Sequence, residues 1–102
     1  MILPLKYALY SILYYKGEKG IWEYEMYELL KPIYNKRALV KVREIMLELK
    51  TKAWTEEVDT VLFGEELVRK YKLQPQHNKF IEYMLPNSKD LLQEVGIDAS
   101  LL

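Results

Sequence analysis

Between Gly20 and Phe63 the hydrophobic pattern changes period repeatedly, and the order of those changes constrains the fold more than any other feature of the chain. Gly20-Ile21-Trp22 is a short apolar stretch of strand type. Glu23 to Leu30 then follows helical spacing, with Met26, Leu29 and Leu30 inward and Glu23, Glu25 and Glu28 outward. These acids lie near the helix N-terminus, where the dipole favours them. Lys31-Pro32-Ile33-Tyr34 is a tight turn, because Pro32 removes a helical donor and crowds the preceding turn. Asn35 is placed to cap a longer helix that runs to Lys50. Ala38, Val42, Ile45, Met46 and Leu49 form the inner face of this helix, with Leu39 at its edge. Lys36, Val40, Arg43 and Leu47 form the opposite face, flanked by Arg37 and Glu44. From Ala53 onward Trp54, Thr55, Val58, Thr60, Val61 and Phe63 are strand formers, and a turn around Glu57 to Thr60 predicts a small hairpin.

On the N-terminal side, a first helix is predicted over Leu5 to Lys16, begun by Pro4 and ended by Gly17. Leu5, Leu9, Ile12 and Leu13 face the core, and Tyr7, Tyr10 and Tyr14 form a neighbouring stripe. A helix apolar almost all round is buried on more than one side; in a domain this small, the second side is expected to be a partner subunit. After Gly64 the pattern reads as helical again, with Leu67, Val68 and Tyr71 on one face of Glu65 to Lys72. Pro75 interrupts it, Gln76 to Leu85 is a further helix, and Ser88 is placed to cap a last one over Lys89 to Val95. The chain divides into a core domain, residues 1–72, and a helical extension, residues 73–102, packed on that domain or on a dimer partner. Its end, Ile97 to Leu102, is expected either docked or frayed.

With 102 residues, half of them hydrophobic, the chain is long enough to bury one working core without disulfides or metal. No window approaches the ~18 consecutive apolar residues of a membrane span. Lys6 directly follows the opening Met1-Ile2-Leu3-Pro4-Leu5 and no small-residue cleavage site is present, so no secretory signal and a cytoplasmic location are expected. The absence of cysteine excludes disulfides and thiolate metal sites. Richness in Lys and Glu without Cys fits a thermophile.

Basic and acidic residues balance at fifteen each, which argues against strong nonspecific nucleic-acid binding. The balance conceals a segregation. Lys31, Lys36, Arg37, Lys41, Arg43, Lys50 and Lys52 face only Glu44 and Glu48 within residues 31–52, whereas residues 56–66 hold five acids and no cation. Arg and Lys neutralise phosphates and release counterions, and Asn or Arg at the front of a helix pairs bidentately with adenine or guanine edges. The candidate nucleic-acid-binding residues are therefore Asn35, Lys36, Arg37, Val40, Lys41 and Arg43, with Lys50 and Lys52 meeting phosphate. The bland reading is a solvated amphipathic helix on which Asn35 is only a cap. Against a grip on DNA by the hairpin stand Glu56, Glu57 and Asp59, expected at its tip, which phosphates repel.

Nine tyrosines supply apolar bodies with polar tips, a type enriched at interfaces. Tyr7, Tyr10, Tyr14, Phe80 and Met84 are the candidate dimer interface, in preference to a stacking platform for single strands. Nothing in the sequence points to an enzyme. His77 is the only histidine and has no nucleophile or metal partner at sequence level, no Gly-rich phosphate loop is present, and the acids at 56–59 lack calcium-loop spacing. No cofactor or metal is expected.

Over residues 4 to 72 the element order and apolar pattern resemble the small winged helix-turn-helix DNA-binding proteins common in archaea and their viruses and plasmids. The resemblance implies a mainly α, α+β fold with a hairpin wing and extra C-terminal helices. It implies a homodimer built from helix 1 and residues 76–85, with the 35–50 helix reading double-stranded DNA to regulate transcription. The acidic wing departs from that pattern and leaves open a second reading, a protein-interaction module in a replication or transcription assembly. In that reading Val40, Leu47 and the wing are the partner surfaces.

Overall fold

A computed structural model of the chain describes residues 3–98 and 102. The expected readings of Met1, Ile2 and Leu101 therefore fall outside the described residues. The architecture is α+β, with helices packed around a three-stranded antiparallel sheet. Along the chain come α1 (Leu5–Lys16), β1 (Ile21–Trp22), α2 (Glu23–Leu30), α3 (Lys36–Leu39), α4 (Lys41–Thr51), β2 (Thr55–Phe63), β3 (Glu66–Leu73), α5 (Asn78–Met84) and α6 (Ser88–Glu94).

α1 is the axle of the core. Ala8, Leu9, Tyr10, Ser11, Ile12 and Leu13 are buried in succession, so no side of that helix segment faces solvent. The expected partner subunit is not what covers it. α5 and α6 pack on α1 from the same chain, alongside α4 and β3, and Ile81, Leu85, Leu92 and Ile97 join Leu9, Ile12 and Leu13 in one cluster. The extension thus shares the core of residues 1–72, and the boundary placed at 72/73 falls inside β3. α6 begins at Ser88, one residue earlier than expected, with Asn87 in the cap position. Ser88 is buried, its hydroxyl 3.2 Å from that of Tyr15.

Gly20 brings β1 against the sheet. Its φ of +69 and ψ of 179 belong to a region open essentially to glycine, and a Cβ there would lie 2.8 Å from the Tyr71 carbonyl oxygen. Ile21 pairs with Tyr71 and Trp22 with Lys70. The Glu25 carboxylate reaches back to accept the Trp22 N–H at 3.4 Å, which fixes the start of α2. After α2 the Ile33 and Tyr34 N–H groups both bond the Leu30 carbonyl at 3.0 Å, closing the turn around Pro32. The Tyr34 hydroxyl donates to the Leu3 carbonyl and ties that turn to the start of the chain.

The helix expected over Asn35 to Lys50 appears as α3 and α4 joined at Val40. Val40 keeps right-handed helical angles (φ −59, ψ −29), and its N–H still bonds the Lys36 carbonyl at 3.1 Å. Val42, Met46 and Leu49 are buried, as the spacing predicts.

The hairpin differs from its sequence reading in two linked ways. The turn is Gly64-Glu65, not Glu57 to Thr60, and the segment after it is a strand, not a helix. Phe63 pairs with Glu66, leaving a two-residue loop in which Gly64 takes φ +65 and Glu65 has negative φ. That is the pattern of a tight hairpin turn with Gly first, whose backbone twist matches the strands. A bulge at Val58 shifts the register between Glu57 and Asp59. β3 lies between β1 and β2, so the sheet order is β1-β3-β2.

Candidate nucleic-acid interface

α3 and α4 carry the candidate binding residues because the inner face of the pair is taken up by the core. Lys36, Arg37, Val40, Lys41, Arg43, Glu44 and Leu47 are all exposed, and Lys36, Val40, Arg43 and Leu47 recur at helical spacing along one outer face. Among the described residues, Lys36, Arg37, Lys41 and Arg43 make no ion pair. Four cations are therefore available to an anionic partner. Asn35 has a structural duty. Its Oδ1 accepts the Ala38 N–H at 2.9 Å, which caps α3 and leaves the amide NH2 and one Oδ1 lone pair for a base edge.

Lys50 and Lys52 differ from those four. Lys50 lies 3.7 Å from Glu57, and Lys52 lies 2.9 Å from Glu48 one turn earlier on α4. Hydrogen bonding between Lys52 and Glu48 holds the carboxyl below and the ammonium above its ordinary pKa. Either cation would have to release a carboxylate before it could meet a phosphate.

The acids at 56–59 are not at the hairpin tip. They sit at the base of β2, where two of the three are matched. The Glu57 carboxylate takes Arg69 at 2.9 Å as well as Lys50. Glu56 takes Lys72 at 3.1 Å and Gln74 at 2.9 Å, and those hydrogen bonds lower its pKa. Lys72 also reaches Glu18 at 3.0 Å, and the hydrogen bonds it donates to both carboxylates raise its pKa. The tip is instead apolar and acidic: Leu62, Phe63 and Leu67 are exposed around Gly64, Glu65 and Glu66. Strand alternation would have shown this surface, had β3 been read as a strand.

The candidate dimer residues divide. Tyr10 is 5% exposed and belongs to the core, out of reach of a second copy. Its ring lies 5.7 Å from that of Trp54, which stacks on His77 at 4.8 Å and meets Phe80 edge-on at 5.0 Å. Tyr7 and Phe80 are exposed, Met84 is half-buried against the core, and Tyr83, absent from the sequence-derived set, is 87% exposed. The Tyr14 hydroxyl donates to Glu82 at 2.6 Å, and this bond, reinforced by burial, pushes its pKa up to about 12.

Among the described residues no group of three His, Asp or Glu side chains is arranged to hold a metal ion. None of the described helices is long and apolar enough to cross a membrane. No family model, curated protein or solved structure matches the chain.

Proposed function

We propose that this chain is a winged helix-turn-helix protein that binds double-stranded DNA as a homodimer and regulates transcription in the cytoplasm. The observation that carries the reading is topological. A helix, a short strand, two helical units and a hairpin occur in that order, with β3 between β1 and β2. α2 then stands as the first helix of the helix-turn-helix, the turn at Pro32 as its corner, and α3–α4 as the helix that enters the major groove. The four unpaired cations of that element support the assignment. Lys36 and Lys41 are assigned to phosphates, Arg37 and Arg43 to guanine edges.

Exposed Tyr7, Phe80 and Tyr83 on α1 and α5 provide an aromatic surface for a second copy. A two-fold dimer would set the two reading helices about one turn of DNA apart, roughly 34 Å.

The test is substitution on a selected site. Arg37→Ala and Arg43→Ala should each weaken binding by about 1–3 kcal/mol and relax preference at one base pair. Unchanged affinity in both variants removes them from the interface. A second reading, a protein-interaction module, is favoured by Val40 and Leu47, exposed at 75% and 57% in the midst of the basic face. Replacing both by Ser separates the two, since DNA affinity survives that change only if they are not the binding core.

A further inference from the structure

The wing has an unpaired backbone edge with a groove on each side of it. β1 pairs only with Lys70 and Tyr71 of β3, so the same edge of β3 from Glu66 to Arg69 has no strand partner among the described residues. Such an edge presents free N–H and C=O groups to another chain. Val61 pairs with Val68, Phe63 with Glu66 and Trp22 with Lys70, and directly paired residues share a face. On that face a groove of about 600 Å³ is lined by Trp22, Tyr24, Val61, Phe63, Glu66 and Val68. A second groove, of about 240 Å³, flanks the edge from the side of α2 and α4 and is lined by Tyr24, Glu66 and Val68 again, with Glu23, Arg43 and Leu67. Side chains of a strand point alternately to its two faces. A segment laid along this edge would therefore send successive side chains first into one groove, then into the other.

The chemistry of the lining selects the segment. Phe63 is 79% and Tyr24 56% exposed, an aromatic surface with no cover of its own. The Trp22 ring is stacked on Tyr24 at 6.2 Å and already holds the Lys70 ammonium 5.6 Å from its centroid. Glu65 and Glu66 make no ion pair among the described residues, and Glu23 accepts only the Tyr71 hydroxyl, at 3.2 Å. Of these, Glu23 and Glu66 line the grooves with one cation, Arg43; Glu65 stands beside them in the turn, and the Lys70 ammonium is held over Trp22. We infer that the wing is a docking edge for an extended segment of a partner protein in which apolar side chains alternate with Lys or Arg. DNA is the wrong occupant, because its phosphates would meet the carboxylates. A second copy is also a poor source: the alternation Lys70-Tyr71-Lys72-Leu73 is already taken up in β3. The inference rests on the geometry of the hairpin, and it shares only Arg43 with the DNA-binding reading.

The test is a titration of the isotope-labelled full chain, followed by amide NMR, with two seven-residue peptides, one alternating Val and Lys and one alternating Val and Glu. The Val/Lys peptide is expected to shift the amides of Glu66 to Arg69 and slow their hydrogen exchange about tenfold. The Val/Glu peptide is expected to bind about tenfold more weakly. Phe63→Ser and Tyr24→Ala change exposed side chains, so both should keep the urea midpoint while weakening Val/Lys binding about tenfold. Glu66→Lys should shift the preference toward the acidic peptide. Binding of neither peptide, equal binding of both, or binding indifferent to Phe63→Ser and Tyr24→Ala overturns the inference. So does sedimentation showing a dimer that Phe63→Ser dissolves, because a second copy then covers the groove.

Discussion

Ala53 takes φ +61 at the end of α4, the only described non-glycine residue with positive φ. Its N–H bonds the Lys50 carbonyl at 3.0 Å, and the Trp54 N–H bonds that of Leu49 at 2.9 Å. This pair of bonds is the helix ending that normally places glycine at the left-handed position, where a Cβ crowds the carbonyl. Ala53→Gly should therefore stabilise the protein by about 1 kcal/mol, read as a higher urea midpoint at unchanged slope. A lower midpoint contradicts the geometry. A second residue-scale effect lies at Tyr71, whose hydroxyl donates to Glu23 at 3.2 Å. Burial first, then the Glu23 charge, push its pKa from 10.0 up to about 12. The folded state therefore holds the phenolic proton more tightly than the unfolded state. Its contribution is complete below pH 10 and is lost as pH rises through 12. Tyr71→Phe should flatten that part of the stability curve, and a wild-type curve equally flat between pH 10 and 12 contradicts the assignment.

At the scale of elements, the first half of the chain was legible and the β2–β3 hairpin was not. The bounds of α1 and α2, the cap at Asn35 and the buried face of α4 all follow from local signals: proline, a capping amide and apolar residues at helical spacing. β3 gave no such signal. Leu67, Val68 and Tyr71 suit one face of a helix as well as a strand, no proline interrupts Glu65 to Lys72, and the choice was made by long-range pairing with β1 and β2. The turn was missed because Gly64-Glu65 lacks the Asn-Gly or Asp-Gly signature, although Gly at the first loop position is itself a hairpin signal. The same non-local pairing moved Glu56 and Glu57 beside Lys72, Arg69 and Lys50. Nor does helix 1 alone reveal that α5 and α6, not a partner, cover its second side. This partition of charges has a consequence for DNA binding. Lys36→Ala or Lys41→Ala should each lower the salt slope by about one per copy. Lys50→Ala should lower it less, because Glu57, shared with Arg69, lies 3.7 Å from that ammonium. Equal effects at all three positions contradict the division.

Over the whole molecule, fifteen cations and fifteen anions give no net charge. Lys36, Arg37, Lys41 and Arg43, which make no ion pair among the described residues, lie together on α3–α4, whereas Glu65 and Glu66 lie at the apolar tip of the hairpin. On the proposed reading such a molecule would meet DNA through one face only, and steering by its overall charge would be small. The most direct test of the DNA-binding claim is fluorescence anisotropy of the purified protein with random duplex DNA across a salt series. Engagement of Lys36, Arg37, Lys41 and Arg43 predicts that log K falls against log salt with a slope of about −2 to −4 per bound copy. The exact value depends on how many of the four meet phosphates rather than bases. No binding at low salt, or binding indifferent to salt, contradicts the claim and makes the basic face of α3–α4 a surface for protein.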